Sequence, residues 1–290
     1  MPAFPPSPLV STTWLAGQLS RPGLVILDTS WYLPVTGRVG REEYRAGHLP
    51  GAVYFDLDLA SDPVSSLPHM VPSEERFASY VGGLGVDSGS DVVVYDGSGN
   101  NLSAARAWWM FRVFGHHTVY LLDGGLVKWR AEGRAMESGQ TVRSPASFSV
   151  RLDPSQVRDR FEVHRSLSSG AAQVLDARSA GRYSAAEPEP RAGVTSGHMP
   201  GALSLPYNEL VNPDGTALSP EDLRRRLSTA GVRFDRPVIA TCGSGVTACN
   251  LLLALHRLGH TDATLYDGSW TEWVTSGSPV AKGSEPGHMR

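Results

Sequence analysis

Cysteine is nearly absent from this chain: 290 residues contain two, Cys242 and Cys249. So few thiols exclude a disulfide scaffold and a Cys/His zinc site of standard spacing. The pair stands seven residues apart, near two turns if both lie on a helix, a poor geometry for a disulfide between them. Reduced thiols suit a reducing cytosol, and a cytoplasmic location is expected. No apolar run approaches the roughly 20 residues that span a bilayer. The opening MPAFPPSPLV has neither the basic n-region nor the apolar h-region of a secretory signal. An excess of charge is lacking too: 26 Lys plus Arg face 29 Asp plus Glu, a net charge of −3. That balance supplies no global field for nucleic acid or an acidic membrane surface. No nucleic acid, membrane, metal or cofactor is therefore expected.

Hydrophobic residues at 41% and charged residues at 19% describe a globular chain. At roughly 150 residues per domain the length suggests two domains, each able to bury its own core. Internal repeats support that division. Asp28 closes an apolar run and is followed by Tyr44 and Gly47-His48-Leu49-Pro50-Gly51-Ala52; Asp176 closes another, followed by Tyr183 and Gly197-His198-Met199-Pro200-Gly201-Ala202. DVVVY over 91–95 leads into Asp96-Gly97-Ser98-Gly99, and PVIAT over 237–241 leads into Cys242-Gly243-Ser244-Gly245. Gly115-His116 answers Gly259-His260, and Asp123-Gly124 with Trp129 answers Asp267-Gly268 with Trp273. The matches keep one order, so the chain is a tandem duplication with small insertions. Each copy reads as strand, helix, short strand, helix, strand, helix, strand, helix. Runs such as Val92-Val93-Val94 suit buried parallel strands. The expectation is an α/β fold of two tandem domains, each with a central mostly parallel sheet flanked by helices. The boundaries are 1–140 and 158–290, with a polar linker over 141–157. The proline-rich first ten residues are expected to lie loosely on the surface.

Cys242 opens a loop between an apolar strand and a helix, the place where open α/β sheets bind ligands. Gly243 and Gly245 let the backbone curl so that successive N–H groups converge, and a helix N-terminus behind them favours an anion. Ser244 and Thr247 add hydroxyl donors. A sulfur held there is favoured as the thiolate, a nucleophile. Cys249, further along the helix, reads as a small buried hydrophobe. The first copy carries Asp96 in place of Cys242. A carboxylate there cannot attack sulfur and would repel an anion, so that copy is expected to keep the scaffold without the chemistry.

These features resemble the rhodanese/sulfurtransferase superfamily, in its tandem-domain 3-mercaptopyruvate sulfurtransferase branch, over essentially the whole chain. The resemblance is carried by the Cys242–Ala248 loop, the two Gly-His-x-Pro-Gly-Ala strings, and Tyr183 to Arg191 ending in Glu187-Pro188-Glu189-Pro190-Arg191. It is also carried by Trp108-Trp109-Met110-Phe111-Arg112 and the Asp-Gly-x-x-x-x-Trp endings. It implies two rhodanese-like domains, the first inactive. It implies transfer of sulfur from 3-mercaptopyruvate, releasing pyruvate, through a Cys242 persulfide to cyanide or a thiol such as thioredoxin. It implies that Arg182 and Arg191 clamp the carboxylate and ketone of this small-molecule donor, as guanidinium forks do well. The backbone of Gly243, Gly245, Val246 and Thr247 would line the substrate site. Ser244 would act beside Cys242 as a proton donor to the enolate. His48 matches a relay histidine of the family, although His198 holds the same place in the other copy and suggests a turn-stabilising part for both. Glu42 and Glu43 lie near His48, and neither is singled out as its acidic partner.

Two other readings stay open. Thiosulfate is a compact dianion, and thiosulfate-preferring relatives carry basic side chains within the cysteine loop; Gly243 and Ser244 carry no charge, which favours the other donor. A non-enzymatic binding or regulatory module fits Asp96 in the first copy but not Cys242. A cysteine phosphatase of the related loop type would need Arg six positions after the cysteine, where this chain has Ala248.

Overall fold

The computed structural model describes residues 4–289. They form two compact units. The first comprises residues up to Val64, Val71–Asp153 and Val211–Ala217; the second comprises Ser65–Met70, Pro154–Leu210 and the rest of the chain from Leu218. The expected division was contiguous. Instead, a short segment of each half belongs to the other half's unit. Two equivalent residues lie in these segments, His69 five positions before one helix (Glu74–Gly83) and Gly215 five before another (Pro220–Thr229). Both have positive φ, 62° and 82°.

In the first unit the strands are β1 (Leu9–Val10), β2 (Leu24–Asp28), β3 (Val53–Tyr54), β4 (Asp91–Tyr95) and β5 (Val119–Leu122). They pair in the order β1-β5-β4-β2-β3, all parallel. Helices α1 (Thr12–Ala16), α2 (Gly40–Ala46), α3 (Glu74–Gly83) and α4 (Ala104–Val113) lie in the crossovers, and α5 (Gly125–Ala131) follows β5. In the second unit, β6 (Val157–Arg158), β7 (Gln173–Asp176), β8 (Leu203–Ser204), β9 (Val238–Thr241) and β10 (Ala263–Tyr266) repeat that order as β6-β10-β9-β7-β8, again all parallel. They alternate with α6 (Arg160–Ser169), α7 (Ala180–Ser184), α8 (Pro220–Thr229), α9 (Ala248–Arg257) and α10 (Ser269–Thr275).

The expected sheets are therefore present with one strand more each. β1 and β6 are two-residue edge strands, too short to show any period in sequence. The central strands are apolar over most of their length because helices cover both faces: Val92, Val93 and Val94 are fully buried, as are Ala240 and Leu265. Trp129 closes one core, and Trp270 and Trp273 the other. Their indoles reach backbone acceptors, Trp129 Nε1 on Ala135 O and Trp273 Nε1 on Pro279 O, so the rings bury without stranding a donor.

Two expectations about irregular segments need correction. Within the first ten residues, Leu9 and Val10 pair with Leu121 and Leu122, and Phe4 stacks on Tyr120 with ring centroids 4.1 Å apart. Packing of that half-buried aromatic against the core holds the segment despite its prolines; residues 1–3 lie outside the described residues. The linker expected over 141–157 is mostly part of the first unit. Ala146 N donates to Gly82 O, Phe148 is buried, and Asp153 N donates to Val113 O. Val157 then begins the second sheet. Its polar composition hid the buried phenylalanine and the backbone pairing.

No helix among the described residues is long and apolar enough to cross a membrane.

Candidate active site

β7 and β9 are neighbours whose outgoing connections leave in opposite directions, so their carboxyl ends mark the switch point of the second sheet. Cys242 follows β9 at that point and is 2% exposed. Its loop is fastened on its carbonyl side. Trp270 N donates to Cys242 O at 2.9 Å and Thr271 N to Gly243 O at 3.1 Å, while Thr271 Oγ1 donates to Gly243 O at 2.7 Å. The Asp-Gly-x-x-x-x-Trp ending thus has a local purpose: it starts α10 where its first N–H groups hold the cysteine loop. Ser269 Oγ accepts from Cys242 N at 3.2 Å and from Gly245 N at 3.0 Å, and donates to Tyr266 O. The N–H groups of Gly243, Ser244, Val246 and Thr247 have no acceptor among the described residues. With α9 beginning at Ala248, these donors and the helix N-terminus favour negative charge in the loop. Cys249 is fully buried, with Sγ on Gly245 O at 3.3 Å.

The first unit shows what the same turn does when it carries its own anion. Asp96 accepts N–H bonds from Ser98, Ser103 and Ala104 at 2.8, 2.9 and 2.9 Å, and the Ser98 hydroxyl also donates to it. A carboxylate satisfies there the kind of loop donors that the second copy leaves available. Asp96 therefore does more than repel an incoming anion; it takes the anion's place.

Arg182 and Arg191 both reach the cysteine loop. A Cβ on Gly243 would stand 2.9 Å from Arg182 Nη2 and 3.5 Å from Arg191 Nη1, so the missing side chain at 243 makes room for two guanidinium groups. Arg191 Nη2 donates to Ser244 Oγ at 3.2 Å. Arg182 is held by Glu189, whose carboxylate also takes Arg178, each contact at 2.6 Å. Arg178 is buried between Asp176 and the Trp270 ring. Burial opposes its charge, but Asp176 and Glu189 outweigh that and hold it above the ordinary guanidinium value.

The histidine beside this loop is His69, not His48. His69 Nδ1 lies 3.0 Å from Ser244 Oγ, and the ring is buried. His48 belongs to the first unit. Its Nδ1 meets Tyr44 O at 2.8 Å, its Nε2 meets Thr141 Oγ1 at 3.3 Å, and its ring stacks on Tyr44. His198 does the same in the second unit, with Nδ1 on Tyr183 O, Nε2 on Pro286 O and the ring stacked on Tyr183. Both histidines fasten the Gly-His-x-Pro-Gly turn. Glu43 is bound to Arg38 and Tyr32 rather than to His48. The signal that could have found His69 was a histidine in one copy only, opposite Gly215 in the other.

A parallel α/β domain with a cysteine in a glycine-rich loop at the sheet's switch point, its loop donors open and two arginines over it, defines a class of anion-binding cysteine domains. The comparisons agree on the family: the chain matches the rhodanese-like domain over residues 11–132 and 160–276, and it belongs to that family. The 3-mercaptopyruvate sulfurtransferase of Rattus norvegicus is 45% identical over 276 residues, covering 93% of each chain. A thiosulfate sulfurtransferase of Cricetulus griseus is 43% identical over 283 residues, covering 96% of this chain and 95% of the relative. Among solved structures, the 3-mercaptopyruvate sulfotransferase SseA from Escherichia coli superposes with a TM-score of 0.84 at 39% identity, covering 91% of this chain and 99% of SseA.

Proposed function

We infer that this chain is a 3-mercaptopyruvate sulfurtransferase that carries sulfur on Cys242. The observation that carries the reading is the placement of Arg182 and Arg191 over Gly243, beside a cysteine loop that has no cation of its own. Two forks set off from the nucleophile suit a donor whose carboxylate lies away from its sulfur. The Cys242 thiolate attacks the thiol sulfur of 3-mercaptopyruvate. The carbon–sulfur bond breaks with its electron pair passing to carbon, which leaves the enolate of pyruvate and a persulfide on Cys242. The arginines hold the carboxylate and the developing enolate oxygen. The Ser244 hydroxyl, bonded to His69, relays to the enolate carbon the proton given up by the outer persulfide sulfur, which completes pyruvate and leaves the persulfide anionic. The open N–H groups of the loop hold the charge of the sulfur before and after transfer.

In a second step an acceptor thiolate, for which thioredoxin is suitable, or cyanide attacks the outer sulfur and frees Cys242. A reducing compartment such as the cytosol fits a site that must return to the free thiolate in each cycle. Thiosulfate is the second donor to consider, since a relative 43% identical to this chain carries that name.

The test is intact mass after brief incubation with 3-mercaptopyruvate or, separately, thiosulfate. A gain of about 32 Da, one sulfur, from 3-mercaptopyruvate is expected and should vanish in Cys242→Ser. An adduct from thiosulfate alone would move the reading to that donor, and no adduct from either would leave a binding module.

A further inference from the structure

Glu189 carries a charge that the sulfur-transfer chemistry does not use. Its side chain is 3% exposed, yet it sits within the cluster that approaches the cysteine loop. One oxygen takes Arg178 Nη1 at 2.6 Å; the other takes Arg182 Nη2 at 2.6 Å, with Arg182 Nε 3.2 Å from both. Arg178 is itself locked by Asp176, by Gly197 O and by the face of Trp270 at 4.4 Å. Glu189 is therefore anchored from behind and cannot swing away when a ligand arrives. Glu187 does not compete for Arg182, since its carboxylate accepts from the Ser179 hydroxyl and packs over Gly181.

We propose that Glu189 sets the donor preference of this site, offsetting one edge of Arg182 so that a monoanion is favoured over a dianion. The proposal rests on the sulfur-transfer reading above and names the residue that makes it selective. The physical basis is charge arithmetic. A fixed negative charge behind the clamp weakens the attraction for every anion, but the penalty doubles for a ligand of charge −2. Loss of hydration adds to this, because the carboxylate is shielded from solvent screening. 3-Mercaptopyruvate presents one carboxylate, whereas thiosulfate presents two charges close to its transferable sulfur. The first unit shows the ion pair with reversed polarity. Glu43 stands immediately before the histidine-stacked Tyr44, as Arg182 stands before Tyr183; Arg38 binds Glu43 at 2.6 Å and reaches Gly97 O. There the loop holds Asp96 and has no anion to select.

Glu189→Gln keeps the shape and an acceptor oxygen while removing the charge. Measured with both donors, the ratio of kcat/KM for thiosulfate to that for 3-mercaptopyruvate should rise about tenfold, mainly through a lower KM for thiosulfate. Glu189→Asp retains the charge and should keep the wild-type ratio even if both rates fall. An unchanged ratio in Glu189→Gln, or an equal fall for both donors in both variants, would overturn the proposal and leave Glu189 a structural brace. Should Glu189→Gln lack a cooperative melt, competition against sulfur loading of the wild type decides. Pyruvate, a monoanion, should inhibit at lower concentration than sulfate, and the reverse order overturns the proposal. A wild type that takes no sulfur from 3-mercaptopyruvate overturns both this proposal and the parent reading. A wild type that loads normally while the ratio stays fixed overturns this one alone.

Discussion

The hydroxyl of Ser269 lies 3.2 Å from the amide nitrogen of Cys242 and accepts its hydrogen bond. Ser269 is fully buried and sits at φ 51°, a region that non-glycine residues seldom occupy. The matching residue of the first unit is Gly125, at φ 52°. The second unit thus tolerates a strained serine where a glycine would be relaxed, and what it gains is an oxygen that fixes Cys242 and Gly245.

Ser269→Gly should therefore leave the melting temperature within a few degrees of wild type, since relief of strain offsets hydrogen bonds of about 1 kcal/mol each. Sulfur loading of Cys242 should nevertheless slow about tenfold as the loop loses its anchor. Loading at the wild-type rate would show that α10 alone shapes the loop.

Variants of His69 and His48 should separate the proposed proton relay from turn architecture. His69→Asn, a residue that also accepts positive φ, should lower kcat about 100-fold with little change in KM or melting temperature. His48→Asn should lower the melting temperature, through loss of its two hydrogen bonds and its stacking on Tyr44, and keep kcat within about twofold. The opposite pattern in paired steady-state kinetics and melts would restore His48 as the relay.

Gly243 leaves room for the Arg182 and Arg191 guanidinium groups. A methyl group at this position would stand 2.9 Å from Arg182 Nη2, which Glu189 holds in place. Gly243→Ala should therefore raise KM for 3-mercaptopyruvate about tenfold while leaving the fold intact. A longer side chain at 243 would have to displace Arg182 in the same way. An unchanged KM would mean that Arg182 moves aside freely.

Asp28 makes stability depend on pH. Burial pushes its carboxyl up to about 6, only partly opposed by hydrogen bonds from Ser30. Its counterpart Asp176 has Arg178 two residues on, where Asp28 has Ser30. With the folded value raised, the native state holds the proton more tightly than the unfolded chain. Stability from this group is full below about pH 4 and falls as pH rises towards 6. Asp28→Asn should stabilise the protein at pH 7.5 by up to roughly 3 kcal/mol and have little effect near pH 4. Thermal melts of both proteins at the two pH values check this; an equal effect at both would show that the charge of Asp28 is not the cause.

Several features were legible in sequence because they are local. The valine run of β4 and the apolar run of β9 announced central strands. The glycines around Cys242 announced a turn able to hold an anion, and Arg182 and Arg191 reach that turn. Other features left no such trace. The two-residue β1 and β6 show no periodicity. Phe148 sits in a segment too polar to advertise that it is buried. Glu189 looked like one of two acids in a proline-rich string, and only its contacts separate it from Glu187.

The sequence by itself determined the duplication, the alternation of strand and helix, and which copy carries the thiol, because each follows from residue identity and short-range spacing. Tertiary structure decided which histidine meets Ser244, which segments belong to which unit, and how Asp96 occupies its own loop. His69 and Ser244 are 175 residues apart in the chain. A hydrogen bond depends on angles and distances of a few tenths of an ångström, and residues so distant in sequence acquire those only when the chain has folded.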